Sequence, residues 1–177
     1  MLTNQQREPS VWVRRFAPLI RSGGDVLDLA AGTGRHTRLL LDMGFRVTAV
    51  DRDIAALFPL ASRRCTIQEV DLEGGGAWPL GGAYDGIVVT NYLYRPLLPG
   101  LAGALAPAGI VIYETFAVGN ERFGRPFNPD FLLRPGELLE AFAGLTVIAF
   151  EQGEVSLPRP AMIQRIAAIA GPLGRLP

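Results

Sequence analysis

Three aspartates each close an apolar run: Val26-Leu27-Asp28, Val47-Thr48-Ala49-Val50-Asp51 and Ile67-Gln68-Glu69-Val70-Asp71. If those runs are successive strands, the carboxylates stand together on one rim of a sheet. Open α/β sheets bind ligands outside the carboxyl ends of their strands, where the strand order reverses. Carboxylates there accept hydrogen bonds from hydroxyls and amines and balance positive charge. Between the first two acids lies a small turn, Ala30-Ala31-Gly32-Thr33-Gly34. Gly32 and Gly34 let backbone come close to a ligand.

Two kinds of adenosine-bearing cofactor suit this pattern. A dinucleotide places its pyrophosphate at a helix N-terminus, and Asp28, just before the turn, would repel it. S-adenosylmethionine carries an ammonium and a sulfonium and no phosphate, so Asp28 favours it. Asp51 serves the ribose of either, and Asp71 can accept from the exocyclic amine of an adenine. Each acid also has a purely structural reading: Asp28 as a turn former, Asp51 as a helix N-cap, and Asp71, between Glu69 and Glu73, as part of a solvated acidic turn. His36 is the sole histidine. In the first turn of a helix it reads as a surface or loop-packing residue rather than a base, since a base needs a positioned partner.

The elements that must hold these groups alternate. Val26–Leu29, Arg46–Asp51, Cys65–Asp71, Tyr84–Thr90 and Gly109–Glu114 read as strands, the last apolar on both faces and therefore central. Arg35–Asp42, Ile54–Ser62 (irregular around Pro59), Leu97–Leu105 and a segment from Arg134 to Phe142 read as helical. Leu145–Gln152 and Ala161–Ala170 are expected to close the sheet as an antiparallel pair. Pro9–Ile20 is amphipathic, with Ser10 as N-cap and Pro18 limiting the helix. It is expected either to pack over the sheet edge or to act, over residues 9–20, as a lid on a bound ligand, with Trp12 or Phe16 touching it. The stretch 117–135 is long and irregular, as functional loops are.

A chain of 177 residues suits one domain. Its formal net charge is zero, which gives no whole-molecule attraction for nucleic acid or an anionic membrane. All 17 basic residues are arginine, so Schiff-base chemistry and a phosphate-loop lysine are excluded. A single cysteine, Cys65, excludes an internal disulfide and a cysteine metal cluster, and no metal site is expected. Met1–Ser10 is polar and no long apolar run occurs, so no membrane association is expected and the cytoplasm is the simplest compartment.

The run Asp28-Leu29-Ala30-Ala31-Gly32-Thr33-Gly34, followed by Val50-Asp51 and Val70-Asp71, resembles the class I S-adenosylmethionine-dependent methyltransferase family over roughly residues 25–170. The segment Glu114–Leu138 also resembles small bacterial methyltransferases of the tellurite-resistance-like group. The resemblance implies a single α/β domain over 1–177: a doubly wound, Rossmann-like, seven-stranded, mostly parallel sheet with an antiparallel last strand. It implies S-adenosylmethionine as cofactor. Ala30 and Gly32 would face its methionine part, Asp51 its ribose, Asp71 and Leu72 its adenine, and Asn91 and Tyr92 its reactive methyl, with Asp28, Gly34 and Arg52 also among the cofactor-binding residues. Ala30 departs from the family's glycine by the smallest step.

The methyl acceptor is not identified by any motif. A small molecule is favoured, with RNA or protein acceptors left open by Arg14-Arg15 and Arg63-Arg64. Asn91-Tyr92-Leu93-Tyr94 lacks the signature of transfer to a base amino group. Catalytic candidates are Tyr92, Tyr94 and Glu114. Acceptor-pocket candidates add Arg95, Asn120, Glu121, Arg122 and Arg125, each of which equally suits tying down an irregular loop. The alternatives are an NAD-type oxidoreductase, motivated by the glycine turn, and an inactive methyltransferase-like partner subunit.

Overall fold

Alternate residues of the inner strands bury on opposite sides, which is what a sheet covered on both faces requires. Leu27, Leu29, Ile87, Val89, Val111 and Tyr113 share one core, while Val26, Val88, Ile110 and Ile112 share the other. The computed structural model describes residues 8–75 and 78–172. Its strands are β1 Asp25–Leu29, β2 Arg46–Asp51, β3 Cys65–Glu69, β4 Tyr84–Thr90, β5 Leu105–Phe116, β6 Thr146–Val155 and β7 Ala161–Ile169. Its α-helices are α1 Val11–Phe16, α2 Arg35–Asp42, α3 Leu98–Gly103 and α4 Glu137–Ala141.

The seven strands run in the order β3-β2-β1-β4-β5-β7-β6. Pairing is parallel from β3 to β5, and β7 is antiparallel to both β5 and β6. The doubly wound sheet expected from the alternating pattern is therefore present, with the switch in strand order between β1 and β4. Side chains of α1 and α2 cover one face through Trp12, Val13, Phe16 and Leu40. Side chains of α3 and α4 cover the other through Leu98, Leu101 and Leu138.

Several elements differ from the sequence reading. Ile54–Ser62 contracts to a 3-10 turn at Phe58–Leu60, because Pro59 lacks the N–H a longer helix needs. Leu105 leaves the expected helix and opens β5, which runs 12 residues to Phe116 and pairs Leu105 with Tyr84 across an irregularity. β3 stops at Glu69, short of Asp71. β6 continues past Gln152 to Val155.

The N-terminal helix is not at a sheet edge. Ser10 Oγ accepts from Trp12 N at 3.0 Å and Val13 N at 3.4 Å, starting α1 as an N-cap. The helix then lies over the β5–β7 face. Trp12 is 1% exposed and donates through Nε1 to Ile166 O at 3.2 Å. Trp12 and Phe16 are thus core side chains turned onto the sheet, where the lid reading has one of them touching a ligand.

Candidate functional site

At the carboxyl ends of β1, β4 and β5 the sheet opens into a cleft of about 520 Å³. One wall is the turn after β1, through Ala30, Gly32 and Thr33, with Thr90 and Asn91 at the end of β4. The opposite wall is Glu114 and Phe116 of β5, with Leu157 and Arg159 of the β6–β7 hairpin and Arg165 of β7. Residues Glu8–Val11 close the third side. Two non-glycine residues on its rim, Ala30 (φ 54°) and Asn91 (φ 55°), hold the left-handed conformation. Such strain persists where surrounding structure enforces it, commonly at ligand sites. Ala30 therefore adopts the backbone that glycine would take without cost.

The three acids have different surroundings. Asp28 is buried, and its Oδ2 accepts from Thr37 Oγ1 of α2 at 2.5 Å. Burial pushes its carboxyl up to about 6, partly offset by the Thr37 bonds. Asp51 reaches across from β2. Its Oδ2 accepts from Gly32 N at 2.8 Å and its Oδ1 from Asp53 N at 3.0 Å, so it fixes the glycine turn beside the cleft. Asp71 lies apart from this cleft, exposed, accepting from Glu73 N at 3.0 Å in the acidic turn that its neighbours suggested. Leu72 packs in the core, and Arg52 is exposed on the turn after β2. Gly34 faces Leu57 and Leu60 rather than the cleft.

A polar chain links the N-terminal segment to β5. Ser10 N donates to His36 Nε2 at 3.0 Å, which leaves Nδ1 to carry the proton of the neutral ring, 3.3 Å from Thr90 Oγ1. Burial, aided by the charges of Arg35 and Arg14, holds His36 down at about 3. His36 is therefore a buried packing residue and an acceptor rather than a surface group. Ser10 Oγ donates to Glu114 Oε1 at 2.8 Å, and Arg165 Nη1 donates to Glu114 Oε2 at 3.0 Å. Arg165 also binds Glu151 and lies 4.7 Å from the centre of the Trp12 ring.

Of the catalytic candidates, only Glu114 lines this cleft. Tyr92 lines a smaller neighbouring cleft of about 250 Å³ with Glu73 and Phe131, sharing Asn91 and Phe116 with the first. Burial and the nearby Glu73 and Asp71 carboxylates push its hydroxyl up. Tyr94 is half-buried and packs against the core.

The acceptor-pocket candidates on the long loop are structural. Asn120 Nδ2 donates to Pro126 O at 3.0 Å, and its Oδ1 accepts from Met162 N at 3.3 Å. Glu121 accepts from Gly119 N at 2.8 Å, and Arg122 donates to Gly119 O at 3.1 Å. Arg125 lies over Phe127. Arg95 grips Glu137 at 2.6 Å and the carbonyls of Asp130 and Leu132, each at 2.8 Å. Sequence reasoning missed Thr90, Phe116, Arg159 and Arg165 as cleft residues. Arg165 had a signal: with Gln164 it interrupts an otherwise apolar strand.

A family model described as "Methyltransferase domain" matches residues 1–171. A protein-L-isoaspartate O-methyltransferase of Chlorobaculum tepidum is 28% identical over 104 residues, covering 56% of this chain and 48% of that protein, so the chain spans about half of that relative. Among solved structures, TehB from Haemophilus influenzae superposes with a TM-score of 0.71 at 20% identity, over 90% of this chain and 61% of that one. The Burkholderia thailandensis 1,6-didemethyltoxoflavin-N1-methyltransferase, solved with 1,6-didemethyltoxoflavin and S-adenosylhomocysteine, gives 0.66 at 21% identity, over 92% and 79%.

Proposed function

The chain belongs to the methyltransferase-domain family, and from that premise we propose that it transfers a methyl group from S-adenosylmethionine to a small molecule bound in the main cleft. The family assignment displaces the dinucleotide alternative. The observation that carries the reading is the turn after β1: Gly32 N is held by Asp51, and the space above Gly32 is open, so a Cβ there would meet nothing within 4 Å. That suits a cofactor laid against bare backbone.

Ala30, Gly32 and Asn91 would hold the methionine end, with the carboxylates of Asp28 beneath and Asp51 beside the turn complementing a cationic ligand. Asp51 would accept from the ribose hydroxyls in exchange for the Gly32 amide. Asp71 and Leu72 would border the adenine. The cofactor, when bound, supplies an activated methyl group, so the protein's task is chiefly alignment and exclusion of water. Glu114, fixed by Ser10 and Arg165, keeps lone pairs free to accept from an acceptor N–H or O–H and orient it. The cleft volume falls among small-molecule sites, and the toxoflavin enzyme offers a precedent for such an acceptor on this fold. A cytoplasmic location fits the absence, among the described residues, of any helix long and apolar enough to cross a membrane.

Calorimetry tests the cofactor. S-adenosylhomocysteine should bind the wild type, and Asp51→Ala should weaken it by about tenfold or more, the effect of losing charge-assisted bonds. No heat with wild type, or an unaltered Asp51→Ala, would end this reading. Labelled methyl transfer into extract fractions of small molecules, RNA and protein separates an active enzyme from an inactive partner subunit and identifies the acceptor class.

A further inference from the structure

The charges of the main cleft balance except at one place. Glu8 pairs with Arg14 at 3.0 Å. Arg165 is taken by Glu114 at 3.0 Å and by Glu151. Arg35 is opposed by Glu114 and Asp28. Arg159, on the β6–β7 hairpin, makes no ion pair among the described residues. Its guanidinium lies 5.5 Å from the Phe116 ring centre and makes one long bond, 3.5 Å, to Arg125 O. A guanidinium resting on an aromatic face keeps its N–H edge available for a planar anion. Leu157 and Val11, 74% and 72% exposed, border the same opening with Val155 and Ile163.

Resting on the methyltransferase reading, we infer that the acceptor is a monocarboxylate with a ring-sized apolar body, its carboxylate on Arg159 and its nucleophilic end toward Asn91 and Glu114. Topology sets the length. Asn91 follows β4, while Arg159 precedes β7, two strands away in the order β4-β5-β7. The Arg159 guanidinium lies over Phe116 of β5, so one strand spacing of roughly 5 Å and the 5.5 Å from ring centre to guanidinium together give roughly 10 Å, the span of one substituted ring. The apolar hairpin and the exposed side chain of Val11 would cover that ring and exclude water. One unpaired guanidinium matches one negative charge. A phosphate dianion would leave charge unbalanced beside Glu114.

Three probes sharing one ring decide it, titrated calorimetrically into protein saturated with S-adenosylhomocysteine: 4-hydroxyphenylacetate, its neutral amide, and tyramine. The carboxylate should bind at least about tenfold more tightly than the amide, as a charge-assisted bond provides, with tyramine weakest. Arg159→Gln, a change at an exposed side chain, should bring carboxylate and amide within about twofold of each other, with homocysteine-cofactor affinity and melting temperature unchanged. Equal binding of the three probes, no binding of any, or a carboxylate preference that survives Arg159→Gln overturns the inference. If S-adenosylhomocysteine itself does not bind, the cofactor reading fails and this inference with it. If it binds and the probes do not discriminate, only this inference falls.

Discussion

Asp28 and His36 are buried titratable groups whose proton affinities burial shifts in opposing senses for stability. Asp28 rises from 3.8 to about 6, so between those values the folded chain holds more protons than the unfolded one, and lowering the pH stabilises it. His36 falls from 6.5 to about 3, so over that interval the unfolded chain takes up the proton first, and lowering the pH destabilises the fold. The two contributions partly offset each other in the wild type, the His36 interval being the wider. Relative to Asp28→Asn, the wild type should gain on the order of 3 kcal/mol between about pH 7 and pH 4. Relative to His36→Gln, it should lose stability over the same range. Urea unfolding across pH reads both, and profiles parallel to wild type would contradict the assigned environments. At neutral pH Asp28→Asn should stabilise the free protein while weakening cofactor binding, since the charge that burdens the fold is the one that suits a cation.

At the level of one strand–turn–helix unit, two glycines with similar backbone have different tasks. Gly34 caps α2 at φ 75°, and a Cβ there would lie 2.7 Å from Leu60 Cδ1 and 2.9 Å from Leu57 Cδ2. Gly32, at φ 56°, has open space. Both alanine variants bear roughly 1–2 kcal/mol of left-handed strain. Gly34→Ala must also displace leucines, so it should show the lower melting temperature with cofactor affinity little altered. Gly32→Ala should melt higher than Gly34→Ala yet lose most cofactor affinity, because its methyl enters the cleft. Calorimetry paired with melting reads the contrast, and the reverse ranking would show that Gly34, not Gly32, faces the ligand.

Across the whole molecule, the site depends on segments distant in sequence being held in register. Arg95, just after β4, joins the long loop and α4 through Glu137, which is 4% exposed. Burial works against the Glu137 carboxylate, but Arg95 and the Arg134 amide hold it below its ordinary value. Glu137→Ala strands Arg95. It should cost about 2–3 kcal/mol, toward the low side for a broken buried pair because Arg95 keeps some access to water. Residues 117–135 should then exchange amide hydrogens faster, as a locally weakened unit does. Unaltered exchange there would mean that the clamp does not order the loop.

The alternation of apolar runs with helical segments determined the doubly wound sheet, because buried parallel strands and their covering helices impose distinct periods on a sequence. The small turn between Asp28 and Asp51 was legible for the same reason: glycine and acid at strand ends are local chemistry. The irregularity at Pro59 was legible as a proline effect, whereas the extension of β5 was less so, since strand ends are set by neighbours such as Tyr84. Which acids share a surface was decided only in three dimensions. Asp51 turns toward Gly32 while Asp71 folds onto its own turn, a choice made by competing backbone N–H groups. Ser10, His36, Glu114 and Arg165 meet because β5 and β7 are neighbours in the sheet and α1 and α2 pack on the same face of it, and Arg159 makes no ion pair among the described residues while Arg165 is taken by Glu114 and Glu151. Local sequence sets which groups are available. Packing between distant segments decides which of them are satisfied by the protein and which are left for a ligand.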